Sequence, residues 1–206
     1  MAPVQSHPPS AAKIALRDRL LTERRRRPLV EVGLAARAIA DHLLAAPELR
    51  HAATVAAYVS VDHEPGTGHL LDALSDAGKR VILPVVLPDL DLDWAVYGGP
   101  DRLVPARRGL LEPDGDPLGP DAVATADAVL VPGLAVSSTG MRLGRGGGCY
   151  DRALSRVPIG TFTCVLLYDG EVGLDVPTEP HDRAVTAAAT PRGLTRFSPP
   201  RGPARG

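Results

Sequence analysis

Between residues 142 and 151 the chain reads Arg-Leu-Gly-Arg-Gly-Gly-Gly-Cys-Tyr-Asp, a run whose residue types suit the holding of a phosphate group. Gly144, Gly146, Gly147 and Gly148 let the main chain approach phosphate oxygens with no Cβ in the way, and they permit positive φ. Arg142 and Arg145 bring forked guanidinium donors that strengthen such contacts by charge. An apolar stretch at residues 127–136 (DAVLVPGLAV) is predicted as a strand before the run, and a helix is predicted from Cys149 after it. Strand, loop and helix in that order turn several N–H groups and a helix N-terminus toward one anion. Asp151 then falls in the first helical turn, where its carboxylate suits the dipole and could hold a magnesium ion beside the phosphates.

The better-known glycine signatures do not fit. No GxxxxGK[ST] occurs, and Gly-Arg-Gly-Gly-Gly-Cys is not GxGxxG and does not follow the first strand. Glycines alone would equally make a flexible surface linker. The flanking arginines, the strand before them and the Tyr-Asp-Arg start of the helix favour the anion site.

The elements that must position this loop follow from the rest of the chain. Ser10 is placed to cap a helix that carries Lys13 and Arg17 and that Pro28 stops. Lys13 and Arg17 stand four apart, so they share a helical face; without other information that face reads as a solvated basic surface. Arg24 to Arg27, at the C-terminal end, read as a solvated run whose charge suits the dipole. Residues 30–46 form a second amphipathic helix, with Val32, Leu34, Ala36, Ile39 and Leu43 at helical spacing, ending before Pro47. Strands are predicted at residues 54–61, 80–86, 92–98, 127–136, 162–169 and 185–190, a short helix closed by Gly78 lies between the first two, and residues 99–120 read as loop. Alternating strands and helices predict an α/β fold: a single domain over residues 11–197, with a mainly parallel sheet and helices on both faces. The Pro/Ser/Gly-rich ends, residues 1–10 and 198–206, read as disordered tails.

Composition narrows the function. A formal net charge of -1 argues against a general nucleic-acid or membrane-surface role. No stretch approaches a membrane span or a signal peptide, and Cys149 and Cys164 form neither a CxxC pair nor a zinc cluster, so a reducing cytoplasm fits best. Neither thiol has an activating partner in view. Aromatic residues are only 3%, which leaves the core to Ala, Val and Leu; Trp94 and Tyr97 read as packing residues, with shelter of a substrate the alternative for Trp94.

Residues 131–154 (VPGLAVSSTGMRLGRGGGCYDRAL) resemble the signature of the 5-formyltetrahydrofolate cyclo-ligase family, V-P-G-x-A-F-D followed by R-L-G-x-G-x-G-Y-Y-D. KIALR at 13–17, the E-x-x-T of Glu64 to Thr67, GLLEP at 109–113 and HDRAV at 181–185 resemble further family segments in the same order. The likeness spans about residues 13–190. The chain departs from the pattern in two places: Cys149 stands for a tyrosine, and Val136-Ser137 for Phe-Asp.

The resemblance implies ATP-driven closure of 5-formyltetrahydrofolate to 5,10-methenyltetrahydrofolate, through phosphorylation of the formyl oxygen. It reverses the bland reading of Lys13 and Arg17, which join Arg142, Leu143, Gly144, Arg145, Gly146, Gly147, Gly148, Cys149 and Tyr150 as the ATP site. Lys13 and Arg145 become the catalytic cations. Val59, Glu64, Arg145 and residues 146–149 become the folate contacts, Glu64 accepting from the pterin's N–H donors. Asp151 and Asp182 become the ligands of Mg2+, with His181 in a supporting position. ATP and reduced folate are the implied partners, with no nucleic acid, no membrane and a monomeric state. Because of the two departures, a folate- or nucleotide-binding homologue with lost or altered catalysis stays open. So does another α/β enzyme acting on phosphorylated sugars or CoA thioesters.

Overall fold

A computed structural model of the protein describes residues 11–197; the expected tails and the Ser10 cap lie outside the described residues. Helix α1 (Ala11–Arg25) is followed by α2 (Leu29–Ala45) and by α3 (Pro47–His51), a short helix the sequence reading did not anticipate. Pro47 ends α2 as expected, but a proline also suits the first turn of a new helix, and it starts α3 there. Then come β1 (Thr54–Ala56), α4 (Gly68–Asp76), β2 (Arg80–Val86) and β3 (Leu92–Val96). Gly78, at φ 74°, closes α4 as predicted.

The predicted loop over residues 99–120 contains a small antiparallel hairpin, β4 (Leu103–Pro105) with β5 (Leu111–Pro113). Three-residue strands that each hold a proline give no alternating pattern to read. The Glu112 carboxylate fixes this hairpin by accepting from the Val86 N–H at 2.9 Å. The chain continues through β6 (Ala128–Pro132), β7 (Ala135–Val136), β8 (Arg142–Leu143), α5 (Cys149–Arg156), β9 (Phe162–Leu166), β10 (Ala187–Thr190) and β11 (Gly193–Arg196).

Seven strands form the main sheet in the order β11-β10-β9-β6-β1-β2-β3. The inner pairings β10–β9, β9–β6, β6–β1 and β1–β2 are parallel, and the edges β11 and β3 are antiparallel. The mainly parallel α/β sheet is therefore as expected, and β11 is an addition. One face carries α2, α3 and α4 on Val55, Val81, Leu83, Ala128, Leu130 and Leu166. The other carries α5 and a 3-10 segment at residues 120–125 on Ala56, Ile82, Val129, Val131 and Val165. Trp94 lies in this second layer at 1% exposure, a packing residue as expected.

The predicted strand over residues 127–136 breaks in two at Gly133. A Cβ there would stand 2.6 Å from Val165 Cγ2, so only glycine lets the chain cross β9 and leave the sheet. The freed segment pairs with β8, and this second hairpin packs on α1 through Leu20, Leu134, Ala135, Leu143 and Val176. Helix α1 thus lies on the hairpin that leads into the glycine run.

Arg24 secures this arrangement and corrects the expectation of a solvated arginine run. It is 1% exposed; Nη2 donates to the Gly133 carbonyl at 2.7 Å, and Nε and Nη2 grip the Glu171 carboxylate at 2.8 and 2.7 Å. Arg27 stacks on Tyr168, its Cζ 4.1 Å from the ring centroid. Only Arg25 and Arg26 of the four are exposed. The departing backbone and the Glu171 carboxylate need buried donors, which outweighs the modest gain from a charge near the helix end.

Removing one partner of so dry a pair strands the other charge. Arg24→Ala is expected to lower unfolding free energy by about 3–5 kcal/mol, whereas Arg25→Ala should change it by less than about 0.5 kcal/mol. Urea titration of the three proteins reads this directly, and equal midpoints would contradict the role given to Arg24.

Candidate active site

Strand β1 has β2 on one side and β6 on the other, so the chain's progress across the sheet reverses direction between β1 and β6. Open parallel sheets bind ligands beyond the strand carboxyl ends at such a point. The segments leaving β1 and β6 carry most of the residues singled out by the sequence.

The segment after β1 was expected to stay a strand to residue 61. It leaves the sheet after Ala56, and Thr67 folds it back: its Oγ1 donates to the Tyr58 carbonyl at 2.8 Å and accepts from the Ser60 N–H at 2.9 Å. Val59 is half-buried against the α2–α4 core layer. Glu64 is 5% exposed, with Oε2 accepting from the Val61 N–H at 3.1 Å. Tyr168 steadies this loop by donating its hydroxyl to the His63 carbonyl at 3.1 Å, which links it to Arg24 and Glu171.

The glycine run connects β8 to α5. Gly146 and Gly148 have φ of 106° and 66°, left-handed values that turn the chain into the helix, and no side chain caps α5. The first N–H groups of α5 are thus available to an anion. Arg17, one turn after Lys13, donates Nε to the Gly144 carbonyl at 2.9 Å and so lies against the loop. Arg145 reaches across to the other segment, its Nε 3.1 Å from Glu64 Oε1 and its Nη1 3.1 Å from Asp62 Oδ2. The expected phosphate-side and folate-side cations and carboxylate are therefore neighbours.

Arg142 points inward. It is 5% exposed, donates to the Pro132 carbonyl at 3.0 Å and to Asp151 Oδ1 at 3.2 Å, and lies 5.9 Å from the Tyr150 ring centroid. Its guanidinium supports the loop from beneath, and a Cβ on Gly144 would come within 2.7 Å of it. Leu143 is buried and Tyr150 half-buried against both core layers. Cys149 packs against the core layer under α5 and its Sγ donates to the Gly147 carbonyl at 3.7 Å, while burial pushes the Cys164 thiol up, which leaves it protonated.

The segment before β10 supplies the acids. Lys13, 3% exposed, places Nζ 2.7 and 3.0 Å from the two oxygens of Asp182 and 3.0 Å from Glu179 Oε2. Asp151 Oδ1 accepts from the Arg183 N–H at 3.3 Å, so both expected metal ligands adjoin one strap. Ligand atoms of Glu179, His181 and Asp182 lie within 4.8 Å of one another. Hard carboxylate oxygens are the donor set that magnesium prefers, so these residues fit such an ion. Glu179 was missed in the sequence; its one signal is its position three residues before Asp182, in a proline turn facing Lys13.

Burial raises the Glu64 carboxyl above its ordinary range, with the Val61 N–H and the Arg145 guanidinium offsetting only part of that effect. An acid with a raised folded pKa binds its proton more tightly folded than unfolded, so it costs stability once pH climbs past that pKa. Glu64→Gln is expected to be more stable than the parent at pH 7–8, with the gap closing as pH falls into the carboxylate range. Melting temperatures across pH 4.5–8 check this, and a gap that widens on acidification would contradict it.

Residues 9–191 match the model of the 5-formyltetrahydrofolate cyclo-ligase family. A 5-formyltetrahydrofolate cyclo-ligase of Mycolicibacterium smegmatis is 44% identical over 144 residues, 68% of this chain and 74% of that protein. The Escherichia coli K12 protein of the same name is 32% identical over 160 residues, 74% and 85% of the two chains. Aquifex aeolicus 5,10-methenyltetrahydrofolate synthetase superposes with TM-score 0.78 at 27% identity, covering 92% of this chain and 95% of its own. A Mycoplasma pneumoniae 5,10-methenyltetrahydrofolate synthetase shares the fold at TM-score 0.70 and 20% identity, over 87% and 98% of the chains. On the glycine loop, its partners and this likeness along nearly the whole described chain, the protein belongs to the 5-formyltetrahydrofolate cyclo-ligase family.

Proposed function

We propose that the protein closes 5-formyltetrahydrofolate to 5,10-methenyltetrahydrofolate at the expense of ATP, releasing ADP and phosphate. The observation that carries this is the reach of Arg145 from the glycine loop to Glu64, which joins a phosphate cradle to a carboxylate suited to a pterin.

The formyl group on N5 is amide-like and resists attack. Its oxygen displaces ADP from the γ-phosphorus, which leaves a phosphorylated imidate. Folate N10 then bonds to the formyl carbon, the carbon–oxygen bond to phosphate breaks, and N10 gives up its proton. Such chemistry asks for positioning and charge neutralisation more than for a strong base. Residues 144–150 and the start of α5 cradle the phosphates with main-chain N–H groups, and Lys13 and Arg17 neutralise them from α1. Arg142 acts from below by fixing loop shape. Arg145 stands between the two substrates and meets the charge that develops on the transferring group. Glu64 accepts from the pterin's N–H donors, beside Val59 and residues 146–149. Asp151 and Asp182 would hold Mg2+, which supplies charge neutralisation at the phosphates. His181, with Nε2 3.4 Å from Glu179 Oε2, orients that carboxylate.

The same reading takes the protein as a cytoplasmic monomer that engages neither nucleic acid nor membrane; among the described residues no helix is long and apolar enough to cross a membrane. Cys149 motivates a second reading, a homologue that binds its ligands without turnover.

Near-ultraviolet absorbance of the methenyl product, followed with 5-formyltetrahydrofolate and Mg·ATP, separates the two. ATP-dependent product is expected; tight binding without product would favour the second reading. Arg145→Ala is expected to lower turnover by about a hundredfold or more, with Arg25→Ala unchanged; equal effects would refute this assignment of the site. Because the cradle is main chain, Cys149→Tyr should leave ATP affinity within about twofold, and a large gain would contradict that.

A further inference from the structure

The proposed function asks Lys13 and Asp182 to hold different parts of one Mg·ATP. In this structure they hold each other. Lys13 Nζ lies 2.7 Å from Oδ2 and 3.0 Å from Oδ1 of Asp182, and the side chains are only 4% and 9% exposed. Asp182 Oδ2 also accepts from the Glu179 N–H at 2.7 Å. Glu179 Oε2 closes on the same ammonium at 3.0 Å.

An ammonium has three donors, and three carboxylate oxygens already stand at hydrogen-bond distance from this one. A phosphate oxygen can take a donor of Lys13 only by displacing a partner. A divalent cation reaching Asp182 meets the converse obstacle, since a buried carboxylate cannot hold it and an ammonium at 2.7 Å without strong repulsion between the cations. Charge makes the two obstacles complementary. Nucleotide alone faces two carboxylates, and cation alone faces a lysine; arriving together, each removes what opposes the other.

We propose that Lys13 and the divalent cation exchange on Asp182, with Glu179 as the positioning residue that keeps Lys13 tethered over the phosphates after the exchange. The inference rests on reading the site as one for Mg·ATP. It makes nucleotide and cation bind cooperatively through the chain itself, in addition to their direct attraction. Such coupling is reciprocal, so it is visible from either ligand.

The full chain, with ADP as a probe that does not turn over, tests this by calorimetry in EDTA and in Mg2+; Mn2+ binding without nucleotide is followed by its spin-resonance signal. Asp182→Asn removes one of the two carboxylates that compete for Lys13, so ADP affinity in EDTA is expected to rise about tenfold while the gain from Mg2+ shrinks. Lys13→Gln removes the competitor for Asp182, so Mn2+ affinity without nucleotide is expected to rise about tenfold. Glu179→Gln should raise KM for Mg·ATP severalfold with kcat within about twofold, a split that a merely structural loss would not give. Asp182→Asn and Glu179→Gln keep the side-chain volumes, and for all three variants an unchanged circular-dichroism spectrum with one cooperative unfolding transition confirms the fold. If ADP affinity in EDTA fails to rise in Asp182→Asn, or Mn2+ affinity fails to rise in Lys13→Gln, the exchange is overturned. If the parent chain binds no Mg·ADP at all, the site reading itself fails, an outcome distinct from a parent that binds it without coupling.

Discussion

Two carbonyls at the end of β6, those of Pro132 and Gly133, must be satisfied where the chain leaves a buried parallel sheet. Left bare, each would cost about 1–3 kcal/mol. Both are met by buried guanidinium groups, Arg142 on Pro132 and Arg24 on Gly133. This allows the chain to quit the sheet after four buried residues and fold into the β7–β8 hairpin. The glycine loop hangs from that hairpin, and α1 packs on it. Arg24 also ties in Glu171, and Tyr168 beside it reaches the loop that carries Glu64. One buried cation therefore coordinates the segments after β1, β6 and β9, the three around the switch in strand order.

The second feature is how thoroughly the site's charges are paired. Arg145 sits on Glu64 and Asp62, Lys13 on Asp182 and Glu179, and Arg142 on Asp151. In the proposed function two of these pairs, Arg145–Glu64 and Lys13–Asp182, join a phosphate-side cation to a carboxylate assigned to pterin or metal. Such pairing keeps buried ions tolerable before substrate arrives. On the proposed function, substrates enter by replacing partners rather than by filling an inert cleft. The raised pKa of the Glu64 carboxyl marks an acid whose partners compensate its burial incompletely.

How much of this was legible differed by element. The span of α2, the α4 periodicity, the apolar runs of β2, β6 and β9, and the turn at Gly78 all express local rules of spacing and backbone freedom, and they emerged where expected; of the expected α2 stripe, Leu34 instead faces outward at 65% exposure, and Ala35 and Ala40 join Ile39 and Leu43 inside. The β4–β5 hairpin, α3 and β11 did not, because short, proline-bearing or edge segments have no repeating pattern and are set by what they pair with. Arg24 was misread for a related reason. Four consecutive arginines look alike in sequence, and only the packing of α1 on the hairpin decides which one turns inward.

By itself the sequence determined the chemistry available: a glycine loop opening a helix, the family likeness, and a set of cations and carboxylates spread from residue 13 to residue 182. Those depend on residue type and local spacing, which the chain carries wherever it goes. The tertiary structure decided the pairings across the chain. It set Lys13 on Asp182, 169 positions away, chose Arg142 as a support beneath the loop, and brought in Glu179. Such contacts follow from where a parallel sheet reverses its strand order, a property of how distant segments pack rather than of any segment alone.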